Sequence, residues 1–124
     1  MGAFTKFEEI LAWQKARTAV CSIYHMTSEG VFSKDFGLRD QIRRSAISIM
    51  ANIAEGHGRK SDKEFANFLN FAHGSIAETQ SHLYIALDLG YVGKDDFEHI
   101  YRVLDEVGRM SMALMRHLRK PSSS

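Results

Sequence analysis

The stretch Gly56-His-Gly-Arg-Lys-Ser-Asp-Lys-Glu64 ends one helix and begins the next. Glycine is common where helices end, and Ser61 followed three residues later by Glu64 has the spacing of a capping box. In that motif the Ser61 oxygen accepts from the Glu64 amide, and the Glu64 side chain returns to the Ser61 amide. A connection this short favours antiparallel neighbours. The stretch therefore predicts a helical hairpin in the middle of the chain.

Glycines predict two further turns, one before this hairpin in the sequence at 30–37 and one after it at 90–93. Between the turns, apolar residues recur at steps of three or four, which is the period of a helix face. The only proline, Pro121, follows the last of these patterns, so no earlier helix contains this strong breaker. The predicted helical segments cover about 7–28, 36–56, 61–90 and 95–120.

Length and patterning together predict the fold class. A chain of 124 residues allows one ordinary domain, and no period-two run indicates a sheet. We expect an all-α protein, an antiparallel up-down four-helix bundle. Its single domain spans 1–120, and 121–124 form a disordered tail.

The apolar stripes also predict the core. Residues on the apolar stripe of each helix are expected to face the core. The predicted core residues are Trp13, Val20, Ile42, Ile49, Leu69, Ile76, Leu83, Leu104 and Leu114. A second set lies off these stripes, namely Phe68, Phe71, Ser75 and Leu89 with Leu11 and Tyr24. Two interpretations of this second set stay open, a broad core contact or a subunit interface.

The composition excludes several classes of protein. Sixteen Lys and Arg against fifteen Asp and Glu give a net charge of +1, which excludes coating of nucleic acid by net charge alone. The one cysteine, Cys21, allows no intramolecular disulfide and no Cys-based zinc site. Its apolar neighbours predict a buried, inert thiol. No apolar run is long enough to span a membrane and the N-terminus lacks a signal peptide, so we expect a cytoplasmic protein without a membrane partner.

No pattern indicates catalysis, a cofactor or a metal. A di-metal bundle needs Glu-x-x-His on two helices, and Asp96-Phe-Glu-His99 is the one comparable match among six histidines. Glu78 and His82 are spaced to share a helix face, but the ligand set is incomplete. The stretch 56–61 resembles a phosphate-binding loop superficially and lacks its full spacing and preceding strand. We therefore expect a non-enzymatic protein with no catalytic, cofactor or metal residues.

Clustered basic residues are the candidate site. Two interpretations are open, a solvated charged face or a surface that contacts the phosphates of nucleic acid. The candidates are Arg43, Arg44, Arg59, Lys60, Arg109, Arg116, Arg119 and Lys120. An up-down bundle brings the candidates at 59–60, 116 and 119–120 to one end, where we expect them to form one larger patch, and leaves those at 43–44 separate. Arg44 has a competing assignment as the ion-pair partner of Glu55 or Glu78.

Several motifs in order carry a family resemblance across about residues 7–118. The chain resembles the bacterial four-helix-bundle family of 23S rRNA intervening-sequence proteins. The matching stretches are 7–16 (FEEILAWQKA), 41–48 (QIRRSAIS), 52–59 (NIAEGHGR), 64–78 and 89–91 (LGY). The chain departs from the pattern at Met50, where many members have proline, at His57, where tyrosine is frequent, and at Gly93, where serine is common.

The resemblance implies an antiparallel four-helix bundle that assembles as a homo-oligomer, with a pentamer as the expected state. Members are encoded within insertions in 23S rRNA genes or elsewhere in bacterial genomes. Similar bundles act as accessory proteins of diversity-generating retroelements, although this chain is far less basic than that role suggests. The implied function is an RNA- or nucleoprotein-binding accessory. The alternative is a structural protein-interaction module without nucleic-acid binding.

Overall fold

The computed structural model describes residues 4–120, which fold into four α-helices. These are α1 Leu11–Thr27, α2 Phe36–His57, α3 Asp62–Asp88 and α4 Lys94–Leu118. Short 3₁₀ helices at Phe7–Glu9 and Gly30–Lys34 precede α1 and α2, and no strand occurs within 4–120. The all-α prediction is therefore confirmed, whereas the predicted tail at 121–124 lies outside the described residues. None of the helices in this range combines the length and the apolar character needed to cross a membrane.

The helices pack around the core in the order α1, α2, α3, α4 and back to α1. Between α2 and α3, Ser45 lies opposite Thr79 with their hydroxyl oxygens 2.8 Å apart. One turn later in α2, the hydroxyl oxygen of Ser48 lies 2.9 Å from that of Ser75. The residue numbers of these pairs rise along α2 and fall along α3, as they do between antiparallel helices. The up-down topology expected from the short turns is confirmed.

Local capping explains both ends of α3. The Glu64 amide donates to the Ser61 oxygen over 3.1 Å, as the capping box predicts. The Glu64 carboxylate returns to the Ser61 hydroxyl over 3.3 Å rather than to its amide. At the other end Gly90 has φ of +75°, and Tyr91 N–H donates to the Ala86 carbonyl over 2.9 Å. This left-handed glycine and the long return bond form a Schellman motif, which ends the helix.

Gly56 lies inside the last turn of α2 and lets α3 approach closely. A Cβ built on Gly56 would lie 2.7 Å from the Phe68 Cβ and 3.0 Å from Phe65 Cδ1. Real Cβ atoms do not approach each other this closely, so a larger residue would force α2 and α3 apart. Gly56 is thus a packing residue, and the turn itself begins at Gly58.

The core agrees with prediction in α2 and α3 and differs in α1 and near the end of α4. The predicted residues that are buried are Ile42, Ile49, Leu69, Ile76, Leu83 and Leu104. Trp13, Val20 and Leu114 are only partly buried and pack at the edge of the core. In α1 the buried face is made instead by Ala12, Ala16, Ala19 and Ile23. Small side chains let α1 lie close to its neighbours, and this turns Trp13 and Val20 toward the rim.

The predicted start of the second helix near residue 36 is confirmed, and the Asp35 side chain caps α2 there by accepting from Leu38 N–H over 3.2 Å. Two other expectations in the N-terminal half were wrong. The first segment is interrupted at Ile10, which has an extended backbone between the 3₁₀ turn and α1. Cys21 is exposed, not buried, because it lies on the side of α1 away from Ala19 and Ile23.

Candidate nucleic-acid interface

The C-terminal half of α4 carries uncompensated positive charge. Exposed basic residues in this half and just past its end form what we call the α4 basic ridge, made of Arg109 and Arg116 in α4 with Arg119 and Lys120 directly after Leu118. No acid occurs between Arg109 and Lys120. The preceding acids are engaged elsewhere, since Glu106 lies 3.1 Å from the Lys15 ammonium and Asp105 accepts from Gln80 over 2.9 Å. Within residues 4–120 no carboxylate forms an ion pair with the ridge.

A groove between α3 and α4 runs beside this ridge. It encloses about 520 Å³ and includes Arg109 and Arg116 among its lining residues. Gly108 contributes no side chain to the groove, which leaves it open at this position. The atoms nearest to a Cβ built there belong to the His73 ring, 3.9 Å away. We call this feature the α3–α4 groove, lined by His73, Ile76, Ala77, Gln80, Leu104, Asp105, Gly108, Arg109, Met112 and Arg116.

The basic residues of the α2–α3 turn share an end of the bundle with the α4 basic ridge but lie across α3 from it. The Arg59 guanidinium is 2.7 Å from the Glu55 carboxylate and 4.8 Å from the centre of the Phe68 ring. Phe68 belongs to the α2–α3 contact, whereas Arg116 lines the groove between α3 and α4. Lys60 is exposed in the turn and has no ion pair within 4–120. The two basic groups therefore present separate sides of the same end.

Arg43 has a structural role at the other end of the bundle. Its Nε donates to Thr27 Oγ1 over 2.7 Å, and its guanidinium lies 4.4 Å from the centre of the Tyr24 ring. A second bond reaches the Ser28 hydroxyl over 3.2 Å. These contacts tie α2 to the C-terminal end of α1. They use the planar fork of Arg43 within the protein and leave it less suited to bind phosphate.

Arg44 is exposed and forms neither of its two predicted ion pairs. Glu55 is paired with Arg59, and Glu78 lies 3.6 Å from His82 Nε2. Each of these carboxylates contacts the residue four positions further along the chain, so neither pairs with Arg44. The shared face of Glu78 and His82 is confirmed, and the expected partners of Arg44 were wrong.

The other histidines are dispersed over the bundle. His57 Nε2 lies 3.2 Å from the Phe4 carbonyl, and His25 lies 3.1 Å from the Glu29 carboxylate. No group of three or more metal-ligating side chains comes together in the part of the chain that the structure describes. His117 is exposed beside Arg116 in the last turn of α4, and His73 lies in the adjacent groove.

A second surface is apolar and lies on the outside of α2 and α3. We define the α2–α3 apolar face by Ile47, Phe71, Ile85 and Leu89, which are 43–56% exposed. The Ser48 and Ser75 hydroxyl oxygens, 2.9 Å apart, lie between the two helices. Of the residues that lie off the apolar stripes, Leu11, Tyr24, Phe71 and Leu89 are exposed, so a broad core contact does not account for them. Phe68 and Ser75 are partly buried in the seam beneath.

Sequence reasoning identified the arginines of α4 but missed the groove beside them. His73 and Gly108 belong to different helices, and no local spacing connects them. One signal was present, because Gly108 interrupts an otherwise strong helical pattern, and an isolated helix glycine costs about 1 kcal/mol relative to alanine. A glycine inside a regular helix therefore indicates a packing or functional requirement at its position.

Comparison with known proteins places this bundle in a family. The family described as 23S rRNA-intervening sequence protein matches residues 8–113. A comparison with curated proteins gives no match. Among solved structures, the chain is similar to a protein of unknown function from the S23 ribosomal protein family of Bacteroides thetaiotaomicron. That protein is 26% identical, with a TM-score of 0.78, over 86% of this chain and 99% of that one. With most of the chain matched in sequence and in fold, the protein belongs to the 23S rRNA-intervening sequence protein family.

Proposed function

We propose that this protein is a non-enzymatic helical scaffold that binds structured RNA through the α4 basic ridge. The observation that carries the proposal is the acid-free run of exposed basic residues from Arg109 to Lys120. Phosphate contacts require clustered positive charge rather than a high net charge, and arginine binds two phosphate oxygens at once.

The proposal predicts modest binding that salt weakens strongly. Each phosphate neutralised by the ridge releases counterions, so affinity falls as the salt concentration rises. Arg59 contributes less than the ridge, because Glu55 offsets its charge at 2.7 Å. The ridge alone is therefore the place to test.

The test is charge reversal at the end of α4, measured with a labelled RNA stem-loop at low salt. The double variant Arg116→Glu with Arg119→Glu should reduce affinity about tenfold or more and flatten the salt dependence. The matched control is Lys34→Glu with Lys94→Glu, which changes net charge equally at the opposite end of the bundle. Equal loss in both variants would mean that only net charge matters. Absence of binding by the parent protein would leave the protein-interaction module.

A second function is favoured by the α2–α3 apolar face. The α2–α3 apolar face exposes four large apolar side chains together, whereas exposed apolar residues on a protein surface usually occur singly. Exposed apolar patches mark sites of contact with other proteins. We propose that this face joins copies of the chain into a homo-oligomer, with the pentamer implied by the family resemblance as the expected state. A ring would repeat the α4 basic ridge on every subunit, and multivalent contact would strengthen weak RNA binding.

Sedimentation at micromolar concentration tests the assembly. The parent protein should sediment as an oligomer, and Phe71→Ser with Ile85→Ser should shift it toward the 14.1 kDa chain. Leu11→Ser is the control, because Leu11 is 64% exposed on α1, outside this face. A monomeric parent, or an oligomer that only Leu11→Ser dissociates, would contradict the proposal.

A further inference from the structure

The α3–α4 groove combines an apolar floor with a charged rim. The partly buried Met112 lies at the floor of the groove, and Ile76 and Leu104, 3% and 0% exposed, pack directly beneath it. Arg109 and Arg116 lie on the rim, and neither pairs with a carboxylate within 4–120. A volume of about 520 Å³ lies in the range of small-molecule sites. The shape and charge suit a flat, apolar group that carries a negative charge at its edge.

A nucleotide has this chemistry. Single-stranded RNA presents unstacked bases that proteins stack on aromatic side chains, histidine included, while arginine holds the phosphates. The His73 ring is exposed beside Gly108, with Cε1 and Nδ1 each 3.9 Å from the Cβ position there, and supplies an aromatic side chain at the groove. Arg109 and Arg116 are two helical turns apart, roughly 10 Å at 1.5 Å per residue. Their flexible side chains adjust to the phosphates on either side of one base.

The end of the groove nearest the α4 N-terminus favours one kind of base. Gln80 Nε2 donates to Asp105 Oδ1 over 2.9 Å. The second carboxylate oxygen of Asp105 and the amide oxygen of Gln80 then remain as acceptors. A carboxylate accepts well from the exocyclic amino group of cytosine, whereas uracil presents an acceptor at the same position. The groove is therefore suited to an amino-bearing base.

We propose that the α3–α4 groove binds one nucleotide of single-stranded RNA, with an amino-bearing base over the apolar floor and its flanking phosphates on Arg109 and Arg116. The inference rests on the proposed RNA-binding function and adds a base-binding site to it. Phosphate contact by the ridge does not require the groove. The two proposals therefore have separate consequences.

The test compares labelled octacytidylate with octauridylate by fluorescence anisotropy at low salt. These probes differ mainly in the group at the position that Asp105 and Gln80 would face. We expect the parent protein to bind octacytidylate at least fivefold more tightly. Gly108→Leu, which fills the groove, and His73→Ala, which removes the stacking face, should each abolish this preference. Gly74→Leu is the matched control, because Gly74 lies on α3 with nothing within 4 Å of its Cβ position.

His73 is exposed, so its truncation tests the groove even where Gly108→Leu fails to fold. A parent protein without a cytidylate preference would overturn the groove proposal, as would a preference that survives His73→Ala. In either case stem-loop binding that remains sensitive to Arg116→Glu with Arg119→Glu would leave the proposed function standing. Loss of both stem-loop and oligonucleotide binding in the parent would overturn both proposals.

Discussion

The Tyr91 hydroxyl donates a hydrogen bond to Asp35 Oδ2 over 2.9 Å, although 56 positions separate the two residues. The other carboxylate oxygen of Asp35 caps α2 by accepting from Leu38 N–H over 3.2 Å. One side chain therefore joins the N-terminus of α2 to the turn between α3 and α4. The hydrogen bond to Asp35, with partial burial and the negative charge of Asp35, raises the pKa of Tyr91 above its ordinary value of 10.0.

This contact predicts a pH dependence of stability. Because the pKa of Tyr91 is higher in the folded than in the unfolded chain, its contribution is fully present below about pH 10. This contribution to stability is lost as the pH rises through the raised pKa of Tyr91 in the folded chain. Tyr91→Phe should therefore be less stable than the parent near neutral pH, with a difference that narrows in alkali. Urea denaturation across this range measures the difference, and a constant gap would contradict the prediction.

The same contact predicts a spectroscopic change in a variant that keeps the helix cap. Asp35→Asn retains the oxygen that accepts from Leu38 N–H and removes the negative charge beside Tyr91. The pKa of Tyr91 should move back toward 10.0, with the phenolate absorbance appearing at lower pH. Tyr91→Phe identifies which tyrosine is responsible, and an unchanged titration would show that Asp35 does not control it.

Two glycine substitutions should have opposite effects. Gly56→Ala places a methyl 2.7 Å from Phe68 Cβ, and overpacking at such a contact costs about 1–3 kcal/mol. Gly74→Ala meets nothing within 4 Å and should stabilise α3 by about 0.5–1 kcal/mol. Thermal unfolding of both variants gives the comparison. Similar shifts in the two would mean that α2 and α3 do not approach each other at Gly56.

Core truncations should separate buried from exposed leucines. Leu83 and Leu104 are both 0% exposed, so replacement of either by alanine should cost about 2–5 kcal/mol. Leu89 is 55% exposed, and Leu89→Ala should change stability by only about 0.5 kcal/mol. Chemical denaturation below the concentration of any self-association measures the three. An effect at Leu89 as large as those at Leu83 and Leu104 would contradict its exposed position on the single subunit.

Two buried serines offer a further contrast. Ser111 is 1% exposed, and its hydroxyl finds no hydrogen-bond partner within residues 4–120. Ser111→Ala removes an unsatisfied polar group and should stabilise the protein by up to about 1 kcal/mol. Ser45 lies 2.8 Å from Thr79 Oγ1 and donates to the Ile42 carbonyl. Ser45→Ala should instead destabilise by about 1 kcal/mol, and the same sign in both would refute this account.

Features that depend on nearby residues followed from the sequence. The Ser61 cap, the end of α3 at Gly90 and the stripe through Leu83 were all predicted, because capping and helical periodicity act within a few positions. The family resemblance was also confirmed, since it rests on motifs spread along residues 8–113. The homo-oligomer and the relation to retroelement accessory proteins stay predictions.

Local patterns were enough to predict the helices, their antiparallel order and the acid-free run of basic residues in α4, because each pattern depends on residues a few positions apart. Which charges remain unpaired and where a groove opens depend on how the four helices pack. Arg43 is tied to Thr27, Arg44 lacks its expected partners, and Gly108 meets His73 across two helices. Small alanines rather than Trp13 face the core from α1. These outcomes depend on how closely each helix approaches its neighbours, and that distance is set jointly by side chains remote in sequence.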